Sequence, residues 1–199
     1  MDLGFVHRPI LAALLWAGLT MNLQPALNLG IFFELLWLDL FPAGTFIPPH
    51  ALFSLTATLT LLACLPEADM RLVTFVIVCV LPLAHLGAWA EQRYRQRQNL
   101  SYNALLVWNR KSAAPYIPQR LIHRAVLEGT LLYMLLFAVC TAPLLVVIKT
   151  VRPWIEGGPQ PTWPALWLCA CVGAVLALRL RKAHALALVA LVLGVLGTM

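Results

Sequence analysis

The chain has 199 residues, of which 61% are apolar and 11% charged, with a formal net charge of +6 and a mean hydropathy of +0.83. A soluble globular domain is closer to half apolar and a quarter charged, so this composition excludes a cytosolic enzyme, a disordered chain, a disulfide scaffold and a nucleic-acid-binding domain. It is the composition of an all-α integral membrane protein: a crossing helix takes roughly 20 residues, and the length holds about five to seven crossings in one membrane domain over residues 1–199.

Before Pro9 the chain carries Asp2 and Arg8, and no small-residue cleavage pattern follows, so no removed signal peptide is expected. The first apolar run, Ile10 to Met21, is short for a crossing and ends in Asn22, Gln24, Pro25 and Asn28. The second, Ala26 to Phe41, holds two carboxylates, Glu34 and Asp39, and breaks at Pro42-Ala43-Gly44-Thr45. A third run, Phe46 to Leu65, opens with Pro48-Pro49, residues that suit the first turn of a new helix. After the polar turn Pro66 to Arg71, the fourth run, Leu72 to Ala90, is long enough to span and carries Pro82 and His85. A basic loop is expected over 91–124, with an amphipathic surface segment at Ala104 to Trp108. The membrane helices of 125–198 follow: Ala125 to Ile148, then, after a Pro- and Gly-rich loop from Lys149 to Trp163, the runs Pro164 to Leu178 and His184 to Leu196. The pattern predicts about six membrane segments, with a Pro/Gly-broken re-entrant element within 10–65.

Seven of the 14 basic residues (Arg93, Arg95, Arg97, Arg110, Lys111, Arg120 and Arg124) lie in the 91–124 stretch. In a membrane protein such a bias sets orientation. The stretch is therefore assigned to the cytoplasm, together with the turn Arg179, Arg181 and Lys182. The less basic connections Pro66 to Arg71 and Lys149 to Trp163 then share the opposite face. The five cysteines all fall inside apolar runs, and their odd count argues against a disulfide framework. Cys169 and Cys171, two apart on a helix, point to different faces and make no metal site, so neither metal nor cofactor is expected.

Chemistry concentrates between Asn22 and His50. In hydrocarbon every backbone group needs a partner, so a break is tolerated only beside other protein or a wet cavity. Short, Pro- or Gly-interrupted apolar segments are the sequence pointer to a transporter's midplane site. An ionisable group inside an apolar run costs a few kcal/mol by insertion scales and faces a cavity or a partner. Glu34 is such a group, and Trp37 follows on the same helical face. A carboxylate that accepts from hydroxyls beside a flat apolar ring suits a sugar, and Asn28, Thr45 and His50 add polar contacts, with His50 reading equally as a packed, bonded imidazole. The alternative is that Glu34 bonds the broken backbone and meets no solute. Asp39 reads equally as a snorkelling residue or a site residue. His85 reads as structural, satisfying a carbonyl freed by Pro82, and Glu128 as a paired or interfacial carboxylate. Trp89, Trp108, Trp154 and Trp163 read as interfacial aromatics. There is no Gly-rich phosphate loop, no HExxH and no nucleophile set, so no catalytic residue is expected.

Arg8-Pro9, then Glu34-Leu35-Leu36-Trp37-Leu38, then Ala43-Gly44-Thr45-Phe46-Ile47-Pro48-Pro49 resemble subunit IIC of the mannose/fructose/sorbose phosphotransferase system. There a Glu-Leu-x-x-Leu-Gly stretch precedes a Gly-Gly-x-x-Pro-Pro-Asp turn. Ala17-Gly18-Leu19, Leu23-Gln24, Leu81-Pro82-Leu83 and Gln119-Arg120-Leu121-Ile122-His123 also fall in register. Asp39 stands where the family has Gly, Ala43 replaces the first Gly of the pair, His50 replaces the Asp, and Asn22 falls where members often carry Asp. The apolar segment that the family places before Arg-Pro is expected to be missing.

The resemblance implies that Glu34 and the Thr45 to Pro49 turn, with Pro48 and Pro49, contribute to a hexose site. It further implies an oligomeric permease in the bacterial inner membrane, working beside a homologous IID subunit, with cytoplasmic IIA and IIB proteins that supply the phosphoryl group. Two rivals remain: a non-transporting membrane anchor that recruits phosphotransferase proteins, and an unrelated small-solute transporter.

Overall fold

The computed structural model of the chain describes residues 8–38, 47–65, 67–111, 119–155 and 160–177. Over these the fold is all-helical: α1 (Pro9–Thr20), α2 (Leu23–Leu36), α3 (Ala51–Ala63), α4 (Met70–Lys111), α5 (Gln119–Ile155) and α6 (Trp163–Ala177). Two stretches are long and apolar enough to cross a membrane, Met70–Val107 and Ile122–Ile155. The other four helices have 12 to 15 residues, about 18–23 Å at 1.5 Å per residue, less than the ~30 Å of a hydrocarbon core. The expected segments thus divide into two of spanning length and four short ones. The run at His184 to Leu196 lies outside the described residues.

α1 and α2 form a tight helical hairpin. Pro9 takes the first position of α1, where its missing N–H leaves no bond unmade. Met21 ends the helix in the left-handed region at φ 56°, and α2 begins two residues later. Small residues form the seam, with Ala13, Ala17 and Ala26 buried. A Cβ on Gly30 would stand 2.6 Å from the Ala13 Cβ and 3.3 Å from the Ile10 Cα. Such close approach of backbones is how helices pack where no hydrophobic force acts between them.

α3 is the shared wall of two apolar clusters. Leu55 and Leu59 join Leu29, Phe32 and Phe33 of α2, Ile77 of α4 and Leu166 and Ala170 of α6. Phe53, Ala57 and Leu61 face Val76, Val80 and Leu83 of α4 and Ile148 of α5. Its threonines suit this setting because their hydroxyls turn back on the helix, whereas the buried Ser54 hydroxyl has no partner among the described residues. Thr58 Oγ1 donates to the Ser54 carbonyl at 2.8 Å, and Thr60 Oγ1 to the Thr56 carbonyl at 2.8 Å, the back-bonding open to threonine in a helix.

α4 and α5 correct three boundaries. The stretch expected as a loop over 91–124 is helical to Lys111 and again from Gln119. Polarity there reports exposure, not irregular backbone: 91–111 contains no Gly or Pro. Arg95 bonds Glu91 one turn away, with its Nε at 2.9 Å, and the Arg93 guanidinium lies 5.2 Å from the centre of the Trp89 ring. The two helices are pinned together where Tyr94 OH donates to the Ala125 carbonyl and Gln98 Nε2 donates to Tyr94 OH. Gly129 leaves room for that ring, since a Cβ there would meet the Tyr94 oxygen at 2.8 Å. Nor do prolines end these helices. Pro82 lies inside α4, and Pro143 and Pro153 inside α5, which therefore runs to Ile155 rather than stopping before Lys149. Apolar helices tolerate proline where neighbours re-satisfy the freed carbonyl.

At 42 residues, α4 measures about 63 Å and carries its polar half well beyond any apolar layer. At the other end the α3–α4 and α5–α6 connections meet. Arg152 Nη2 donates to the Glu67 carbonyl at 3.4 Å, and Gln160 Nε2 donates to Asp69 Oδ2 at 3.1 Å. The outer face of α5 is apolar and open, with Leu127, Met134, Leu135, Val139 and Val146 each more than half exposed.

Gly30→Ala is expected to overpack the α1–α2 seam and destabilise by about 1–3 kcal/mol. The control is Gly18→Ala, whose added Cβ meets nothing within 4 Å; it gains the ordinary helix preference of about 0.5–1 kcal/mol. Melting curves of the detergent-purified protein separate the two.

Candidate functional site

Glu34 sits in the last turn of α2, and its carboxylate crosses the hairpin to the start of α1. Arg8 Nη1 donates to Oε1 at 2.8 Å, and the Ile10 backbone N–H donates to Oε2 at 3.4 Å. The second contact is a cap supplied from another helix: Ile10 is in the first turn of α1, whose amides lack intrahelical acceptors, and the helix dipole there favours a negative charge. Arg8, at the N-cap position, makes no side-chain cap bond of its own. The Glu34 side chain remains 17% exposed and that of Arg8 49% exposed, so the pair lies at a surface of the fold. Glu34 thus bonds the backbone at the start of α1 and keeps a partly exposed side chain; the break at Pro42 to Thr45, to which the alternative tied it, lies outside the described residues.

Trp37 ends α2, its ring stacked on Phe33 with centroids 5.4 Å apart and planes inclined by 14°. Phe32 meets Phe33 edge-on at 5.3 Å. One face of the indole is therefore spent on packing. Asn28 is half-buried, and its backbone carbonyl accepts from Trp167 Nε1 of α6 at 3.2 Å. Thr45, with Asp39, lies outside the described residues.

Pro48 and Pro49 precede α3 rather than opening it. Residues 47–50 are non-helical, His50 is the N-cap and Ala51 the first helical residue. The reason is local: His50 Nδ1 accepts from the Phe53 N–H at 3.3 Å, doing the work of a Ser or Asp cap, which fixes the helix start one residue after the prolines. With Nδ1 accepting, the proton of a neutral imidazole is assigned to Nε2. The His50 N–H donates to the Ala84 carbonyl of α4 at 3.0 Å, and one turn on Gly87 admits the segment, since a Cβ there would lie 3.0 Å from the His50 Cβ. The ring also faces Tyr133 of α5 with centroids 5.6 Å apart.

The expected site residues therefore fall into two neighbourhoods. Glu34 belongs with Arg8 and the start of α1, His50 with Ala84, Gly87 and Tyr133. Two partners, Arg8 and Tyr133, have no signal in the spacing of the sequence. A carboxylate in an apolar run announces that it needs a partner, but not which residue supplies it. Of the other candidates, His85 is exposed and forms no hydrogen bond among the described residues, so it does not serve the Pro82 break. Glu128 pairs with Arg124 Nε at 2.6 Å. No family model, curated protein or solved structure matches the chain.

Glu34→Ala removes the acceptor of the Ile10 amide, and a lost helix cap costs about 0.5–2 kcal/mol. Glu34→Gln keeps an acceptor oxygen and is expected to lose less. The same melting measurement ranks the two.

Proposed function

We propose that the chain is a non-catalytic permease subunit of a phosphoenolpyruvate-dependent sugar phosphotransferase system, of the kind its motifs resemble in subunit IIC of the mannose/fructose/sorbose family. It sits as a multi-pass protein in a bacterial inner membrane. The short helices α1, α2 and α3 belong to the re-entrant element, and the hexose is held at the Glu34 neighbourhood, with Trp37 and Asn28 of the same helix; Pro48, Pro49 and His50 contribute from the separate neighbourhood before α3, and Thr45 lies outside the described residues. The observation that carries this reading is the placement of Glu34: an acid in the last turn of a short apolar helix, bonded to Arg8 and Ile10 and still partly exposed. A lipid-facing acid would be costly there, and a wholly withdrawn one would have no reach to a solute.

The polar ends of α4 and α5, with Arg93, Arg95, Arg97 and Arg110, supply the face on which a cytoplasmic IIB protein, with its IIA donor, docks to phosphorylate the sugar. The open apolar side of α5 suits lipid or a IID-like membrane subunit. The cap that Glu34 provides to α1 also favours a second reading, a non-transporting anchor that retains this acid for its structural work and recruits the same cytoplasmic proteins.

Sugar uptake by cells carrying the chain and its partner subunits tests both. Losing a hydrogen bond to a charged group costs about 1.5–3 kcal/mol, so Glu34→Gln is expected to lower uptake at limiting hexose by about 10-fold to 100-fold. Wild-type uptake in that variant would remove Glu34 from the site. Partner binding by the unaltered chain in vesicles that accumulate no sugar would establish the anchor.

A further inference from the structure

We infer that Arg8 is itself a sugar-contacting residue, and that the Arg8–Glu34 pair is a donor–acceptor clamp for adjacent hydroxyls of a neutral sugar. This rests on the permease reading above and adds to it a residue and a recognition chemistry. The pair is not the two-pronged, mutually saturating kind. A guanidinium has five N–H donors in a planar fork, and only Nη1 of Arg8 meets Glu34. The remaining donors of Arg8 make no other hydrogen bond to the described residues, and half of its side chain is exposed. A carboxylate has about four acceptor positions, and Glu34 uses one on each oxygen.

Among the described residues, donors of Arg8 and acceptor positions of Glu34 without further partners are thus held side by side. Glu34 is bonded to the α1 backbone, and Arg8 meets it through Nη1. A hydroxyl both donates and accepts, so two neighbouring hydroxyls match this arrangement: one donates to Glu34 and the other accepts from Arg8. The pair is neutral as a whole, which fits an uncharged hexose better than an anionic one, because a phosphate approaching Arg8 also approaches the Glu34 carboxylate.

An exposed ion pair contributes little to stability, so loss of Arg8 separates recognition from folding. Uptake kinetics are measured with a hexose and with its deoxy analogues, each lacking one hydroxyl, alongside melting of the purified protein. Arg8→Gln is expected to melt close to wild type, to raise the half-saturating hexose concentration by about tenfold with little change in maximal rate, and to lose discrimination against one deoxy analogue. Unchanged half-saturation and discrimination would overturn the inference while leaving the permease reading intact. The charge exchange R8E/E34R gives an independent reading. It keeps a carboxylate at the start of α1 and is expected to restore melting without restoring uptake. Uptake restored together with melting would make the pair purely structural and defeat the proposal. A wild-type chain that accumulates no hexose in the presence of its partners would end the permease reading and the clamp with it.

Discussion

The start of α1 is held by an acid that belongs to α2. A helix begins with amides that have no acceptor in their own helix, and in α1 the first residues offer none: Arg8 makes no cap, and Pro9 contributes only a preset φ. Glu34 supplies what is missing, reaching Ile10 and Arg8 at once. It can do so only because the hairpin is tight. Gly30 lies one turn before Glu34 on α2, and the absence of a side chain there brings the two backbones close enough at Ile10 and Ala13 for the carboxylate to span the gap. The seam and the cap are one construction. The second neighbourhood repeats the logic with other residues: Gly87 makes room, and His50 caps α3 while its own amide is taken by α4.

Around these two contacts the fold is asymmetric. α3 is apolar on two sides and joins the cluster built on α1, α2 and α6 to that built on α4 and α5. α4 and α5 extend past the short helices, and their extension is polar. Beyond the short helices the long pair is joined by Tyr94, Gln98 and Gly129.

Much of this was legible in the residues. The apolar runs mark the cores of the helices, and Asn22, Pro48 and Pro49 mark their interruption, whereas Pro25 falls in the first turn of α2. That Glu34 required a partner followed from its surroundings. What was not legible has common physical causes. Arg8 is 26 positions from Glu34, a separation that only the register of the hairpin turns into contact, and Tyr133 reaches His50 only through the packing of α5 against α3. Prolines were misleading in both directions. Pro48 and Pro49 look like the opening of a helix but stand before it, because the cap comes from His50. Pro153, placed in an expected loop, lies inside α5, while Pro82 and Pro143 stay inside the helices whose runs carried them, because a long apolar helix absorbs a missing bond. Charge density over 91–111 suggested a loop because solvent exposure and irregular backbone produce the same composition; i,i+4 pairing such as Glu91–Arg95 favours helix there.

The outward side of α5 has one practical corollary. Its leucines, valines and Met134 are too many and too contiguous to stay apart in water, where neighbouring copies would clump through them. Whatever amphiphile coats the molecule after extraction becomes part of its effective surface. The choice of that coat, more than buffer or salt, decides whether single particles can be kept in solution.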